Sequence, residues 1–133
     1  MLFGESIDKS KALTISPIVL AFIGDAVYSL YVREHAVIEN AGAKSGALSA
    51  LVGLEVSAKE QARLSHKLAE VFTEEESAVF RRARNAKKPT RAKHSTVSEY
   101  NRSTGLEAVI GYLYLIGETD RLNYLLSLTK EKE

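Results

Sequence analysis

Residues 16–32 read SPIVLAFIGDAVYSLYV, with apolar side chains on nearly every side of a helix and one acid, Asp25, near the middle. Ser16 can cap the free N–H groups of a first turn and Pro17 suits the first helical position, so the stretch predicts a helix from Pro17 to His35 or slightly beyond. Val19, Phe22, Ile23, Ala26, Leu30 and Tyr31 recur at helical spacing, while Ile18, Leu20, Val27 and Val32 fill much of the remainder. That pattern marks the helix as the buried centre of the fold. A carboxylate taken out of water without partners is costly or neutralises itself, so Asp25 calls for a partner, a metal or a chemical task.

A second stretch repeats the oddity. Residues 103–117, STGLEAVIGYLYLIG, set Glu107 among Leu106, Val109, Ile110, Leu113 and Tyr114. On a helix the residues four before and four after an acid share its face. For Asp25 these are Ala21 and Ser29, and for Glu107 they are Ser103 and Gly111, all small. Two such helices can approach closely enough to bring both carboxylates to one divalent cation, since hard oxygen donors are what Mg2+ takes. The competing reading is structural, with each acid in an internal ion pair with an arginine such as Arg33 or Arg102.

Outward from these two stretches the chain reads as helical throughout, with no alternating strand pattern. Asn40 to Lys44 is a loop, and Ser45 to Val52 a short helix ending near Gly53. Ser57 with Glu60 and Thr73 with Glu76 form capping boxes that open helices reaching Phe72 and Ala86. Lys88-Pro89-Thr90 breaks the second of these, making residues 87–95 a loop. Thr96 with Glu99 caps the helix that carries Glu107, which Gly117 stops after Ile116. A last helix runs from Asp120 to Leu128, capped by Thr119, and the tail from Lys130 should fray. Six helices with short connections predict an all-α, compact helical bundle forming one domain over residues 1–133.

Composition narrows the function classes. The 133 residues are 45% hydrophobic, enough for a core, and contain no cysteine, which excludes disulfides and thiolate metal sites and fits a cytoplasmic setting. The N-terminus shows no signal peptide, and no apolar stretch suits a membrane span. Eighteen basic and 17 acidic residues leave a net charge of +1, but the balance is uneven. RRARNAKKPTRAKH, residues 81–94, carries Arg81, Arg82, Arg84, Lys87, Lys88, Arg91 and Lys93 without an acid. Such a block is either a solvated face or a phosphate-binding surface. Its position across a helix end and a proline loop favours the second, and the lack of interleaved aromatics favours duplex over single-stranded nucleic acid. His35, His66 and His94 are too few and too scattered for a zinc site.

Two motifs together resemble a known family. Phe22-Ile23-Gly24-Asp25-Ala26-Val27 is similar to the signature helix of the ribonuclease III domain, and residues 104–115, TGLEAVIGYLYL, are similar to its second acidic helix. The segments VSAKEQA at 56–62 and RARNAK at 82–87 resemble the bacterial Mini-ribonuclease III subfamily, which lacks a separate double-stranded-RNA-binding domain. The resemblance implies a ribonuclease III-like endonuclease domain that forms a homodimer, cleaves double-stranded RNA with Mg2+ and leaves 5′-phosphate and 3′-hydroxyl ends. It implies a role in maturing the 23S ribosomal RNA precursor, with RNA shape or a ribosomal protein assisting substrate choice.

On that reading Asp25 and Glu107 are the catalytic and metal-binding acids. Arg81, Arg82, Arg84, Asn85, Lys87, Lys88, Arg91 and Lys93 are the RNA-binding residues. The chain departs from full-length ribonuclease III enzymes, which carry further acids where this one has Ile18, Ala21 and Thr104, and from the subfamily's usual glycine at Ala83. Two carboxylates per chain then have to carry the metal chemistry, with water and the scissile phosphate completing the shell. The alternatives are a non-catalytic helical RNA-binding or ribosome-associated module and a dimeric helical scaffold whose acids are structural.

Overall fold

Residues 1–89 and 94–131 are described by the computed structural model. Among them the chain forms seven helices and no strand: α1 (Lys9–Ala12), α2 (Pro17–Glu39), α3 (Ser45–Glu55), α4 (Ala58–Leu68), α5 (Glu74–Asn85), α6 (Val97–Leu115) and α7 (Thr119–Leu128). The all-α expectation holds. The helix missing from the sequence reading is α1, four residues opened by the Asp8 carboxylate, which accepts from the Lys11 N–H at 2.9 Å. One turn is too short to show a period.

Hydroxyl caps set the other starts. Ser16, Ser57, Thr73 and Thr96 each accept a backbone N–H of the first turn. The boxes at Thr73/Glu76 and Thr96/Glu99 are complete, with the glutamate returning to the cap N–H at 3.0 and 2.9 Å. The third is half formed, because the Glu60 carboxylate turns to Arg63 instead, at 3.0 Å. At the far end of α6, Gly117 takes φ 76° and the Glu118 N–H reaches back to the Leu113 carbonyl at 3.0 Å. This is a Schellman ending, and it requires the left-handed residue that glycine supplies.

The buried centre is α6, not α2 as the apolar pattern led us to expect. From Ser103 to Leu113 every residue of α6 except Glu107 is buried, because α2, α4 and α5 all pack around it. On α2, Leu20, Ala21, Gly24, Tyr28, Val32 and Ala36 face inward. Its opposite side leaves Val19, Leu30 and Val37 about half exposed and Phe22 80% exposed. A helix apolar all round here has two apolar faces, only one of which the described residues cover.

Helices α2 and α6 cross almost backbone to backbone. A Cβ at Gly24 would lie 1.7 Å from the Glu107 carbonyl oxygen, and one at Gly111 2.0 Å from that of Leu20. Larger residues at either position are incompatible with this crossing. The expected fraying of the tail does not begin at Lys130, whose ammonium pairs with Glu55 at 2.8 Å. Nor is Glu131 loose, since its carbonyl accepts from Lys67 at 3.1 Å.

Candidate active site

The close crossing at Gly24 and Gly111 has a chemical result. It sets Asp25, on the rim of α2, close enough to Glu107, on the central helix, for the charge of one acid to act on the other. Asp25 is exposed and Glu107 partly buried, so the pair has a wet end and a dry end. Burial, then the hydrogen bond from Asp25 and its charge, push the Glu107 carboxyl up to about 9, against a weaker opposing pull from Gln61. A second acid beside it disfavours the charged form, so Glu107 keeps its proton at neutral pH when no cation is bound. The arginine pairing open in the sequence does not occur among the described residues: Arg33 donates to Ser29 at 3.2 Å and Arg102 to Ser65 at 2.9 Å.

Gln61 is the residue that sequence reasoning missed. It is 2% exposed, on α4, and its Nε2 donates to the Val56 carbonyl at 2.9 Å and to Glu107 Oε2 at 3.3 Å. Its Oε1 is buried without a hydrogen-bond partner among the described residues. A buried amide oxygen left unpaired is costly, and on a side chain that already touches Glu107 it is a further hard donor within reach of a cation. The VSAKEQA segment contains Gln61, but nothing in its own spacing announces a partner 46 positions away. No group of three or more His, Cys, Asp or Glu able to hold a metal occurs among the described residues. A cation here would therefore take its remaining ligands from water and substrate.

The basic block splits by environment. Arg81, Arg82, Asn85 and Lys87 are exposed, and Arg84 is half-buried with its Nε on the Asn85 side-chain oxygen at 3.1 Å. Lys88 turns back on its own helix, its ammonium donating to the carbonyls of Ala83, Arg84 and Ala86 at 2.6 to 2.7 Å. It satisfies the end of α5 as a C-terminal cation should. Arg91 and Lys93 lie outside the described residues.

A family model for the Ribonuclease III domain matches residues 18–118, a span that holds both acids and the crossing that joins them. The chain belongs to the ribonuclease III family and is an endoribonuclease. Its relatives within that family are Mini-ribonuclease 3 proteins. It is 42% identical over 125 residues to Mini-ribonuclease 3 of Thermoanaerobacter sp. (strain X514), covering 94% of this chain and 87% of that one. To Mini-ribonuclease 3 of Streptococcus pneumoniae it is 42% identical over 120 residues, covering 89% of this chain and 93% of that one. The crystal structure of protein FN1578 from Fusobacterium nucleatum superposes with a TM-score of 0.78 at 32% identity, over 85% of this chain and 89% of the other. No helix among the described residues is long and apolar enough to cross a membrane.

Proposed function

We propose that the chain is a single catalytic domain that works in the cytoplasm as a homodimer. In this reading it hydrolyses both strands of double-stranded RNA with Mg2+, leaving 5′-phosphate and 3′-hydroxyl ends. Its substrate is the 23S ribosomal RNA precursor, with RNA shape or a ribosomal protein assisting the choice of stem. The observation that carries this is the contact between Asp25 and Glu107 across a glycine-lined helix crossing. An acid kept protonated beside a second acid is an arrangement that a divalent cation relieves, because it replaces the proton and balances both charges.

Asp25, Glu107 and the Gln61 side-chain oxygen are the groups that would hold Mg2+. Bound there, the ion supplies Lewis acidity that makes a water more acidic and stabilises charge on the departing 3′-oxygen. The protein's own part is positional. Gln61 Nε2 fixes the Oε2 edge of Glu107, and the exposed side of Asp25 meets the scissile phosphate first. Arg81, Arg82, Arg84, Asn85, Lys87 and Lys93, with Arg91, hold the duplex by phosphate and 2′-hydroxyl contacts. Lys88 adds charge from its capping position.

The dimer reading is supported by the uncovered face of α2, where Val19, Phe22, Ala26, Leu30 and Val37 make a stripe at helical spacing. Ile38, Leu51 and Leu54 are exposed as well, and clustered exposed apolar side chains mark interaction surfaces. Two copies would each cut one strand.

A labelled RNA duplex from a 23S precursor stem tests the reading. Wild type cleaves it with Mg2+ and not with EDTA, and Asp25→Asn cleaves at least about a thousandfold more slowly while still binding. Binding without cleavage by wild type and variant alike would overturn the enzyme assignment in favour of a helical RNA-binding module.

A further inference from the structure

A second constellation lies at the junction of α5 and α6, apart from the paired acids. Phe80, 5% exposed, carries two guanidinium groups against its ring, Arg84 at 5.7 Å from the centroid and Arg102 at 5.1 Å. The ring sits where it does because residue 105 is glycine, since a Cβ there would come within 2.7 Å of the Phe80 ring carbons. Arg102 is further fixed by its Nε, which donates to the fully buried Ser65 hydroxyl at 2.9 Å. Ser65 passes its own proton to the Ala62 carbonyl at 2.7 Å. Stacked on one side and tied at Nε, the Arg102 fork keeps its terminal nitrogens without hydrogen bonds among the described residues.

Like charges on one ring need an explanation. No carboxylate among the described residues lies within ion-pair distance of either guanidinium, and Glu99, one turn before Arg102, is committed to the Thr96 cap. Burial and the charge of Arg84 pull Arg102 below its ordinary value, the mark of a cation lacking a counter-charge. The two groups open on a cleft of about 440 Å³ that Asn85, Ser98 and Asn101 also line. Asn85 accepts from Arg84 through its oxygen, which leaves its amide N–H groups as donors.

We propose that Arg102 and Arg84, with Asn85 and Ser98, form a seat for a backbone phosphodiester of the RNA substrate, which makes Arg102 an RNA-contacting residue. The proposal rests on the reading of the chain as a double-stranded-RNA endonuclease. A planar fork with free terminal N–H groups matches two phosphate oxygens at once, and two forks share the charge. The seat is also mechanically joined to the acids. Gln61 and Ser65 stand one turn apart on the same face of α4, and they hold Glu107 and Arg102 respectively. Arg102 precedes Glu107 by five residues, about 7.5 Å along the helix axis. One duplex can touch both.

The test uses fluorescence anisotropy of a fluorescein-labelled RNA duplex against full-length protein carrying Asp25→Asn, which removes cleavage, over a series of KCl concentrations. Ser98→Glu is the cleanest variant, because Ser98 is exposed and an acid in the first turn of α6 favours the helix. It should keep the fold and weaken duplex binding about tenfold, by placing a negative charge in the seat. Arg102→Gln should weaken binding about tenfold and lower the slope of log affinity against log salt by about 1. Arg102→Lys should recover the slope and only part of the affinity, a pattern that a merely structural arginine would not give. Wild-type affinity and slope in both Ser98→Glu and Arg102→Gln would overturn the seat and point the cleft to an acidic protein partner, while leaving the endonuclease reading intact. Wild-type protein that binds the duplex, loses binding through these variants, and never cleaves would uphold the seat and overturn the endonuclease reading.

Discussion

Glu76 and Glu107 are both acids set into packed helices, and they differ in what faces them. Glu76, 3% exposed, meets Arg121, whose Nε and Nη2 reach its two oxygens at 2.8 and 2.7 Å, and the Thr73 N–H adds a third bond at 3.0 Å. Burial alone would raise its carboxyl, but the bonds from Arg121 and Thr73 outweigh that and hold it below the ordinary value. Glu107 meets Asp25, a second acid, and one amide of Gln61, and its carboxyl is pushed up to about 9. An acid given its own arginine is complete within the chain. An acid given another acid is completed only by something brought from outside, and the structure spends its tightest helix crossing on that second arrangement.

The comparison can be broken first at Glu76. Arg121→Ala strips the counter-charge and three hydrogen bonds from the region, leaving a buried carboxylate, and should cost about 3 kcal/mol of folding stability in urea titrations. Cleavage by the folded fraction should persist. A cost near zero would mean that Glu76 is not held as a charge.

At the other acid the crossing is the point of attack. Gly111→Ala places a methyl where the Leu20 carbonyl now lies and should destabilise the fold by about 2 kcal/mol. It should also separate Asp25 from Glu107, so that cleavage falls further than stability does. Cleavage that merely tracked the folded fraction would show that the close approach serves packing alone.

The third effect is on pH dependence. Without divalent cations the unfolded chain releases the Glu107 proton near its ordinary 4.5, while the folded chain keeps it up to about 9. Between those values the native state binds more protons, so stability contributed by Glu107 falls as pH rises. Glu76 behaves oppositely, with its contribution present above the ordinary value and lost as pH falls through its lowered native one. Chemical denaturation in EDTA from acid to alkaline pH, comparing wild type with Glu107→Gln, should show a declining stability that the variant lacks. Parallel curves would contradict a Glu107 proton retained in the folded chain.

Much of this is legible in the sequence alone. Asp25 and Glu107 stood out because an acid inside an apolar helix is physically expensive, and the capping pairs at Thr73 and Thr96 are local signals that set helix starts by themselves. Gly111 was readable as a small neighbour, although its true partner is the Leu20 backbone. The rest depends on distant contacts. Nothing local ties Gln61 to Glu107, Arg121 to Glu76 or Ser65 to Arg102, pairs separated by 46, 45 and 37 positions. Periodicity likewise could not say which apolar face of α2 the bundle would cover, nor that Lys88 would bend back to cap α5 rather than stand free with Arg81 and Arg82.

The most direct measurement places Glu107→Gln and Glu76→Gln side by side, with single-turnover cleavage of one RNA duplex in Mg2+ and thermal unfolding in EDTA at mildly alkaline pH. The account predicts that Glu107→Gln loses cleavage by at least about a thousandfold while its unfolding midpoint stays level or rises, and that Glu76→Gln keeps cleavage and unfolds earlier. Wild-type cleavage by Glu107→Gln, or a loss of stability equal to that of Glu76→Gln, would contradict it.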